Sequence, residues 1–400
     1  MNLIISPMKK RNLMKSNFIS ACENLSSADK MNLFIMQELI NNCPIVEKIP
    51  HDNDHQLVTF IYHGIDMESV SLYSPLIGIF PIKMFRLGSS NYFYYSLVVP
   101  VNIRATYAFT INDLTDYDNI KSNELINVAF IKMWTKLIPD QNNPNKIILK
   151  TGKPRVTINI SILEMPFAPL QKWSKKRNEV KNGDLIKSEI SSSLLASKRD
   201  YRVYLPPSYT ANNIYPLLMV FDGQFYYESG ISLPTILDNL IYEKKIPSII
   251  AVLIDSIGFD IRKRDFRSEE FFGFITDELL PDVQSHYSIS RDYRDKILMG
   301  ASLSGFFALY ASLKRPDLFG TVLSQSDGDD IILSLINKTQ TPLKIYLDIG
   351  SIENYESIKK ISELLSSAGH DVIFRIIPGA HDLVSWETAI PDALIELLKK

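Results

Sequence analysis

Cysteine is nearly absent: Cys22 and Cys43 are the only two in 400 residues. So few, so far apart, exclude a disulfide framework and a metal knuckle. An excess of one charge is lacking as well. The chain carries 43 Lys and Arg against 45 Asp and Glu, a net charge of −2, so no broad basic surface calls for nucleic acid. Long apolar runs are missing, and no window approaches the roughly eighteen residues of a spanning helix. The densest stretch, Val70 to Phe85, is broken by Pro75, Pro81 and Lys83 and reads as packed strands. The first residues, Met1 to Lys10, place their charge after a short apolar core, which is not the order of a secretory signal. These absences predict a cytoplasmic protein with no nucleic-acid or membrane partner. The six histidines are scattered without ligand spacing, and neither a metal nor a cofactor is expected. No internal repeat or low-complexity tract is visible.

What is present divides into two textures. Hydrophobic residues make up 46% of the chain, enough for full-sized cores. Residues 1–30 are polar and charged and read as a flexible N-terminal arm. Asn32 to Asn42 reads as a short helix. Short aromatic strands follow, at Leu57–His63, Tyr92–Pro100 and Arg104–Thr110, and predict a β-sandwich domain over 31–175. Ser174 to Asn182 is charged and reads as a linker. From 185 to 400, strands alternate with helices. Strands are expected at Arg202–Leu205, Leu217–Phe221, Ile249–Leu253, Ile297–Met299, Thr321–Ser324, Lys344–Leu347 and Val372–Ile376. Helices are expected at Glu269–His286, Leu303–Leu313, Tyr355–Ala368 and Leu383–Leu398. Apolar strands alternating with helices mean a mainly parallel sheet with ligands beyond the carboxyl ends of its strands. The expected fold is therefore α/β: an α/β-hydrolase domain preceded by an N-terminal β-sandwich domain.

Gly300-Ala301-Ser302 ends an apolar strand just before a helical pattern begins at Leu303. This is the nucleophile elbow: small neighbours permit a tight turn, and the helix behind it aims free N–H groups at a developing oxyanion. A serine at such a turn is often only a helix cap, so a base and an orienting acid must be found. His381 follows the last strand in the small-residue loop Gly379-Ala380-His381. The acid belongs after the preceding strand. Glu353 fits best, with Asp348 nearer the strand end as its rival. One oxyanion donor is the N–H of Leu303. The second belongs to the loop after Leu217–Phe221, where Gly223 permits an unusual backbone angle and the N–H of Gln224, or of Gly223, faces the site. Arg262, Arg264, Asp265 and Arg267 lie at the same rim and form either a clamp for a polar substrate or a solvated charged loop. Asp327, Asp329 and Asp330 are either surface charge or a barrier to anionic ligands. Trp386 reads as packing.

These residues resemble the enterochelin esterases, which hydrolyse the ester bonds of ferric triscatecholate siderophores. The likeness runs from about residue 34 to the end. In the C-terminal half it rests on Val220 to Gln224, Leu253 to Ile257, Arg262 with Asp265, Gly300-Ala301-Ser302, Arg315 to Gly320, Leu323 to Ser326 and Gly379 to Asp382. In the N-terminal half it rests on Val58-Thr59-Phe60, Tyr107-Ala108-Phe109, Asp140 to Pro144 and Leu163 to Pro169. The resemblance implies a serine esterase acting on a ferric siderophore, with Ser302 as nucleophile, His381 as base and Glu353 as acid. It also implies an N-terminal domain that closes over the site and a role in iron acquisition. Two positions depart from the family's pattern: Ser304 where glycine is usual, and Asp327-Gly328-Asp329-Asp330 where glycine and aromatics are frequent. The alternatives are a general carboxylesterase of the same fold, and a binding homologue that has lost catalysis.

Overall fold

The computed structural model describes residues 14–117, 120, 123–150, 157–227, 230–336, 338–339 and 341–399. Helices α1 (Asn17–Glu23) and α2 (Ala28–Asn41) start at Ser16 and Ser27, whose hydroxyls accept the N–H of Ile19 and Lys30. Phe18, Ile19 and Cys22 of α1 share a buried cluster with Ile35 and Leu39 of α2. The expected flexible arm is thereby corrected from Asn17 onward, because its apolar residues fall on one helical face and are packed. The remainder of that expectation, residues 1–13, lies outside the described residues.

Next come β1 (Ile45–Ile49), β2 (Asp52–His63), β3 (Val70–Tyr73), β4 (Ile82–Lys83), β5 (Phe85–Arg86), β6 (Tyr92–Pro100) and β7 (Arg104–Ile111). Helix α3 (Asn123–Trp134), β8 (Lys146–Lys150) and β9 (Thr157–Glu164) complete this part. They form a four-stranded sheet, order β1-β2-β6-β5, and a five-stranded sheet, order β4-β3-β7-β9-β8. All the pairings are antiparallel. Val58, Phe60 and Phe93 from the first sheet meet Leu72, Tyr107 and Phe109 from the second in one apolar core. A buried polar hub lies beside it. The Tyr107 hydroxyl donates to Asp140 at 2.9 Å, and Asn143 Nδ2 donates to the Tyr107 oxygen at 2.9 Å, so the Asp140 to Pro144 segment satisfies its own buried groups.

The rest of the chain is built on an eight-stranded sheet, order β10-β11-β13-β12-β14-β15-β16-β17. Its strands are β10 (Asp184–Ser192), β11 (Ser197–Leu205), β12 (Leu217–Phe221), β13 (Ile250–Ile254), β14 (Lys296–Ala301), β15 (Thr321–Gln325), β16 (Lys344–Gly350) and β17 (Asp371–Ile377). From β13 across to β17 every pairing is parallel, while β10 and β11 join antiparallel at one edge. Every residue of β12, β13, β14 and β15 is buried, as a strand covered on both faces requires. The helices are α4 (Gln224–Tyr227), α5 (Leu233–Tyr242), α6 (Phe259–Asp265), α7 (Glu269–Gly273), α8 (Leu280–His286), α9 (Leu303–Lys314), α10 (Leu333–Ile336), α11 (Glu356–Ser367) and α12 (Leu383–Leu398). The expected single helix 269–286 is split by a π-helical stretch, Phe274–Leu279. Pro281 lacks the N–H that would continue the ladder, and the wider turn absorbs the break.

The N-terminal sheets are not separate from this body. Ile147 and Leu149 of β8 and Ile158 and Ile160 of β9 share a core with Leu218, Val220, Leu237 and Val384. The charged stretch expected as a linker is also fastened. Trp173 and Val180 are buried, Asn239 Nδ2 donates to the Trp173 carbonyl at 2.7 Å, and Arg177 pairs with Glu243 at 2.6 Å. The molecule is a mixed α/β structure whose N-terminal part is antiparallel and whose catalytic candidates gather at the carboxyl ends of β12, β14, β16 and β17.

Candidate active site

At the end of β14 the chain reverses into α9 through a turn too tight for side chains. A Cβ at Gly300 would lie 2.3 Å from the Ser304 carbonyl oxygen, so only glycine fits. Ser302 itself has φ 56° and ψ −127°, a conformation that costs on the order of 1–3 kcal/mol and survives only when its surroundings fix it. They do so here. The Ser302 N–H donates to the Gln325 carbonyl at 2.7 Å. The Ser304 hydroxyl donates to the Ala301 carbonyl at 2.9 Å and accepts the Ala301 N–H at 3.1 Å. The extra hydroxyl at position 304 thus closes the turn on itself.

His381 hangs from the loop between β17 and α12. Its Nε2 lies 2.9 Å from the Ser302 Oγ and its Nδ1 lies 2.6 Å from Glu353 Oε2. With the proton on Nδ1 donated to Glu353, Nε2 is free to accept from the serine hydroxyl. Glu353 Oε1 accepts from the Gly350 N–H at 2.9 Å and the Ser326 hydroxyl at 2.6 Å. Burial alone would push the Glu353 carboxyl up, but the charge of His381 and these hydrogen bonds hold it below the ordinary value. Burial works against charge on His381 as well, yet Glu353 outweighs it and raises the imidazole above 6.5. The structure brings Ser302, His381 and Glu353 into one hydrogen-bonded line.

Asp348, the rival acid, is wholly buried and accepts from Gln325 Nε2 at 2.9 Å. Burial pushes it up to about 8, and it makes no hydrogen bond to His381 among the described residues.

Two residues near the line were not singled out as functional from sequence. The Trp386 Nε1–H donates to the Ser326 hydroxyl at 2.8 Å, and its ring stands edge to face against His381 at 5.1 Å. His381, Glu353, Ser326 and Trp386 therefore close a ring of contacts around the imidazole. The available signals were Ser326 in the Ser-Gln-Ser run and the single tryptophan one turn into α12. Neither reveals a partner until the chain is folded.

The His381 loop is also tied to the N-terminal sheets. Asp382 caps α12 by accepting the Ser385 N–H at 2.9 Å. Its other oxygen accepts the Thr106 N–H at 2.7 Å and the Thr106 hydroxyl at 3.0 Å. Arg104, beside it on β7, meets Glu387 at 3.3 Å with both side chains nearly buried.

Of the expected oxyanion donors, the N–H groups of Leu303 and Gln224 make no hydrogen bond among the described residues. Gly223 is corrected: its N–H is spent on the Ile254 carbonyl at 2.8 Å. The unusual backbone angle belongs instead to Asp222, with φ 60°. Glycine is needed at 223 because a Cβ there would lie 2.5 Å from the Leu253 carbonyl carbon. Asp265 as a substrate contact is corrected too. It is 2% exposed and paired with buried Arg199 at 2.7 Å. Arg262 Nε and Nη2 are each 2.7 Å from an Asp222 oxygen, so two of its three guanidinium nitrogens are committed to that carboxylate. In the acidic run, Asp327 is buried, and burial together with Asp329 pushes its carboxyl up to about 7. Asp329 pairs with Arg267 at 2.5 Å.

Known proteins resemble this chain in sequence and in fold. Residues 191–397 match the family described as "Putative esterase". Iron(III) enterobactin esterase of Escherichia coli K12 is 27% identical over 337 residues, covering 79% of this chain and 82% of that protein. The structure of ferric enterobactin esterase from Salmonella typhimurium superposes with a TM-score of 0.73 at 22% identity, over 88% of this chain and 96% of the other. That of enterobactin esterase from Shigella flexneri in the presence of enterobactin gives 0.72 at 23% identity, over 88% and 95%. These structural likenesses speak for the fold. The chain belongs to this esterase family and is a carboxylic ester hydrolase.

Proposed function

We propose that the chain hydrolyses the ester bonds of an enterobactin-like ferric catecholate siderophore through a Ser302–His381–Glu353 triad. The observation that carries the reading is the continuous line from the Ser302 hydroxyl through His381 to Glu353, at 2.9 and 2.6 Å. Ser302 Oγ attacks the ester carbonyl carbon as its proton passes to His381 Nε2. The oxyanion accepts hydrogen bonds from the N–H groups of Leu303 and Gln224. The tetrahedral centre collapses, and the departing alcohol oxygen takes the proton from His381. Water then attacks the acyl-enzyme with His381 again as base, releasing the carboxylic acid and restoring the hydroxyl. Glu353 holds the imidazole in its tautomer and stabilises the imidazolium.

The relatives that act on iron(III) enterobactin support the substrate class. The state of the acidic run supports it too: with Asp327 buried and shifted toward its neutral form and Asp329 paired to Arg267, the run opposes an anionic complex less than its sequence suggests. We read residues 185–400 as an α/β-hydrolase domain and 31–175 as a β-sandwich ahead of it. The parallel run from β13 to β17 and the core shared by the two antiparallel sheets support that division.

A chromatographic time course on iron-loaded enterobactin tests the reading. Wild-type protein should yield linear fragments that shorten with time, and Ser302→Ala should yield none. Turnover of p-nitrophenyl acetate with every catecholate left intact would refute the substrate while sparing the reaction class.

A further inference from the structure

We propose that Arg262 is a positioning residue for the oxyanion hole rather than a substrate clamp. The inference rests on the reading of Gln224 N–H as an oxyanion donor. That N–H is set by the backbone at Asp222, a non-glycine residue at φ 60° that is 3% exposed. A buried carboxylate on a strained residue must be matched by charge and hydrogen bonds, or the turn relaxes to negative φ and the next N–H groups swing away. Arg262 supplies the match as a two-pronged fork, 2.7 Å to each oxygen.

The fork has a fixed base. Arg262 lies on α6, and the last residue of that helix, Asp265, forms a buried pair with Arg199 of β11 at 2.7 Å. The guanidinium also packs over Phe266, 5.3 Å from its ring centre. Swinging Nε and Nη2 outward to a substrate would strand the Asp222 carboxylate.

The other fastenings hold the loop through its backbone, where the Asp222 carbonyl accepts the Phe225 N–H at 3.0 Å, or act further along. Gly223 N–H is held by the Ile254 carbonyl. The Gln224 side chain donates to the Ser256 hydroxyl at 2.7 Å and accepts the Ser256 N–H at 3.0 Å. Among the described residues, only the Arg262 fork grips the strained residue itself by its side chain.

The test uses p-nitrophenyl acetate, a neutral ester with no anionic group for Arg262 to hold. Arg262→Gln and Asp222→Asn should each lower kcat about 10- to 100-fold, short of the full loss of a donor. KM should stay within about twofold. The double variant should be no worse than the poorer single, because both cut the same link. If Arg262→Gln fails to fold, Arg262→Lys, which keeps the charge without the fork, should show an intermediate loss of kcat. A wild-type kcat in Arg262→Gln, with KM raised only for anionic catecholates, would overturn the proposal and restore the clamp. Ser302→Ala run in parallel separates the two failures: full activity there would sink the site itself, whereas an inactive Ser302→Ala beside an unimpaired Arg262→Gln would sink this inference alone.

Discussion

The turn that carries Ser302 is held chiefly from close at hand, while the loop that carries His381 is held from the other end of the chain. In the turn, the Ser304 hydroxyl bonds both backbone groups of Ala301, and Gly300 makes room for the Ser304 carbonyl. In the loop, Asp382 takes two hydrogen bonds from Thr106, and Arg104 pairs with Glu387, across separations of more than 270 residues. The placing of Ser302 is thus a property of a short segment and its neighbouring strand. The loop of the proposed base is tied to β7 by these contacts. The N-terminal sheets supply none of the three proposed triad side chains, yet they help fix where one of them sits.

The largest expected effect tests the line common to both regions. Glu353→Gln should lower kcat by about 10⁴. The same variant should move the acid limb of the pH–rate profile. His381 must be neutral to accept a proton, and Glu353 raises it above 6.5 against the pull of burial. Activity should therefore fall as pH drops through a value above 6.5. Without the carboxylate, burial prevails and the limb should shift to lower pH. An unmoved limb would show that Glu353 does not orient the base.

Gly300→Ala addresses the self-contained turn. Forcing a Cβ to within 2.3 Å of the Ser304 carbonyl should cost about 100-fold in kcat by displacing the hydroxyl. It should also cost more than about 1 kcal/mol in urea unfolding. Asp382→Ala addresses the distant anchor. Loss of a helix cap and of the partner for two buried Thr106 donors should destabilise the protein by about 2 kcal/mol. It should lower kcat about tenfold as the imidazole loosens. If Asp382→Ala leaves kcat untouched, the N-terminal sheets do not position the base, and the contrast fails. Ser304→Ala should be mildest, about 1 kcal/mol in stability, because Gly300 and the Gln325 carbonyl still hold the turn.

The parts of the fold that were legible share a cause. β12 and α12 fall at their expected bounds, Leu217–Phe221 and Leu383–Leu398, because a fully buried strand and an apolar helix write their period directly into the chain. The edge strand β10 escaped, since its residues are mostly exposed and it pairs only with β11. Helix α1 escaped because its short apolar face is buried only by α2 and the neighbouring sheet. At the site, the positions of Ser302, Glu353 and His381 follow from which strand each one trails. Chain order could not separate the roles of Arg262 and Asp265, since an arginine near a rim looks the same whether it faces a ligand or a buried carboxylate.

By itself the sequence determined the elbow, because a strand, two small residues, a serine and a helix start can assemble in few ways. It also determined which strands are buried, because apolar runs have nowhere else to go. Only the tertiary structure decided which acid meets His381, which amide of the 222–224 loop stays free, and that Thr106 steadies a loop near the other end of the chain. Those outcomes depend on distances between segments far apart in sequence, and such distances are set by packing.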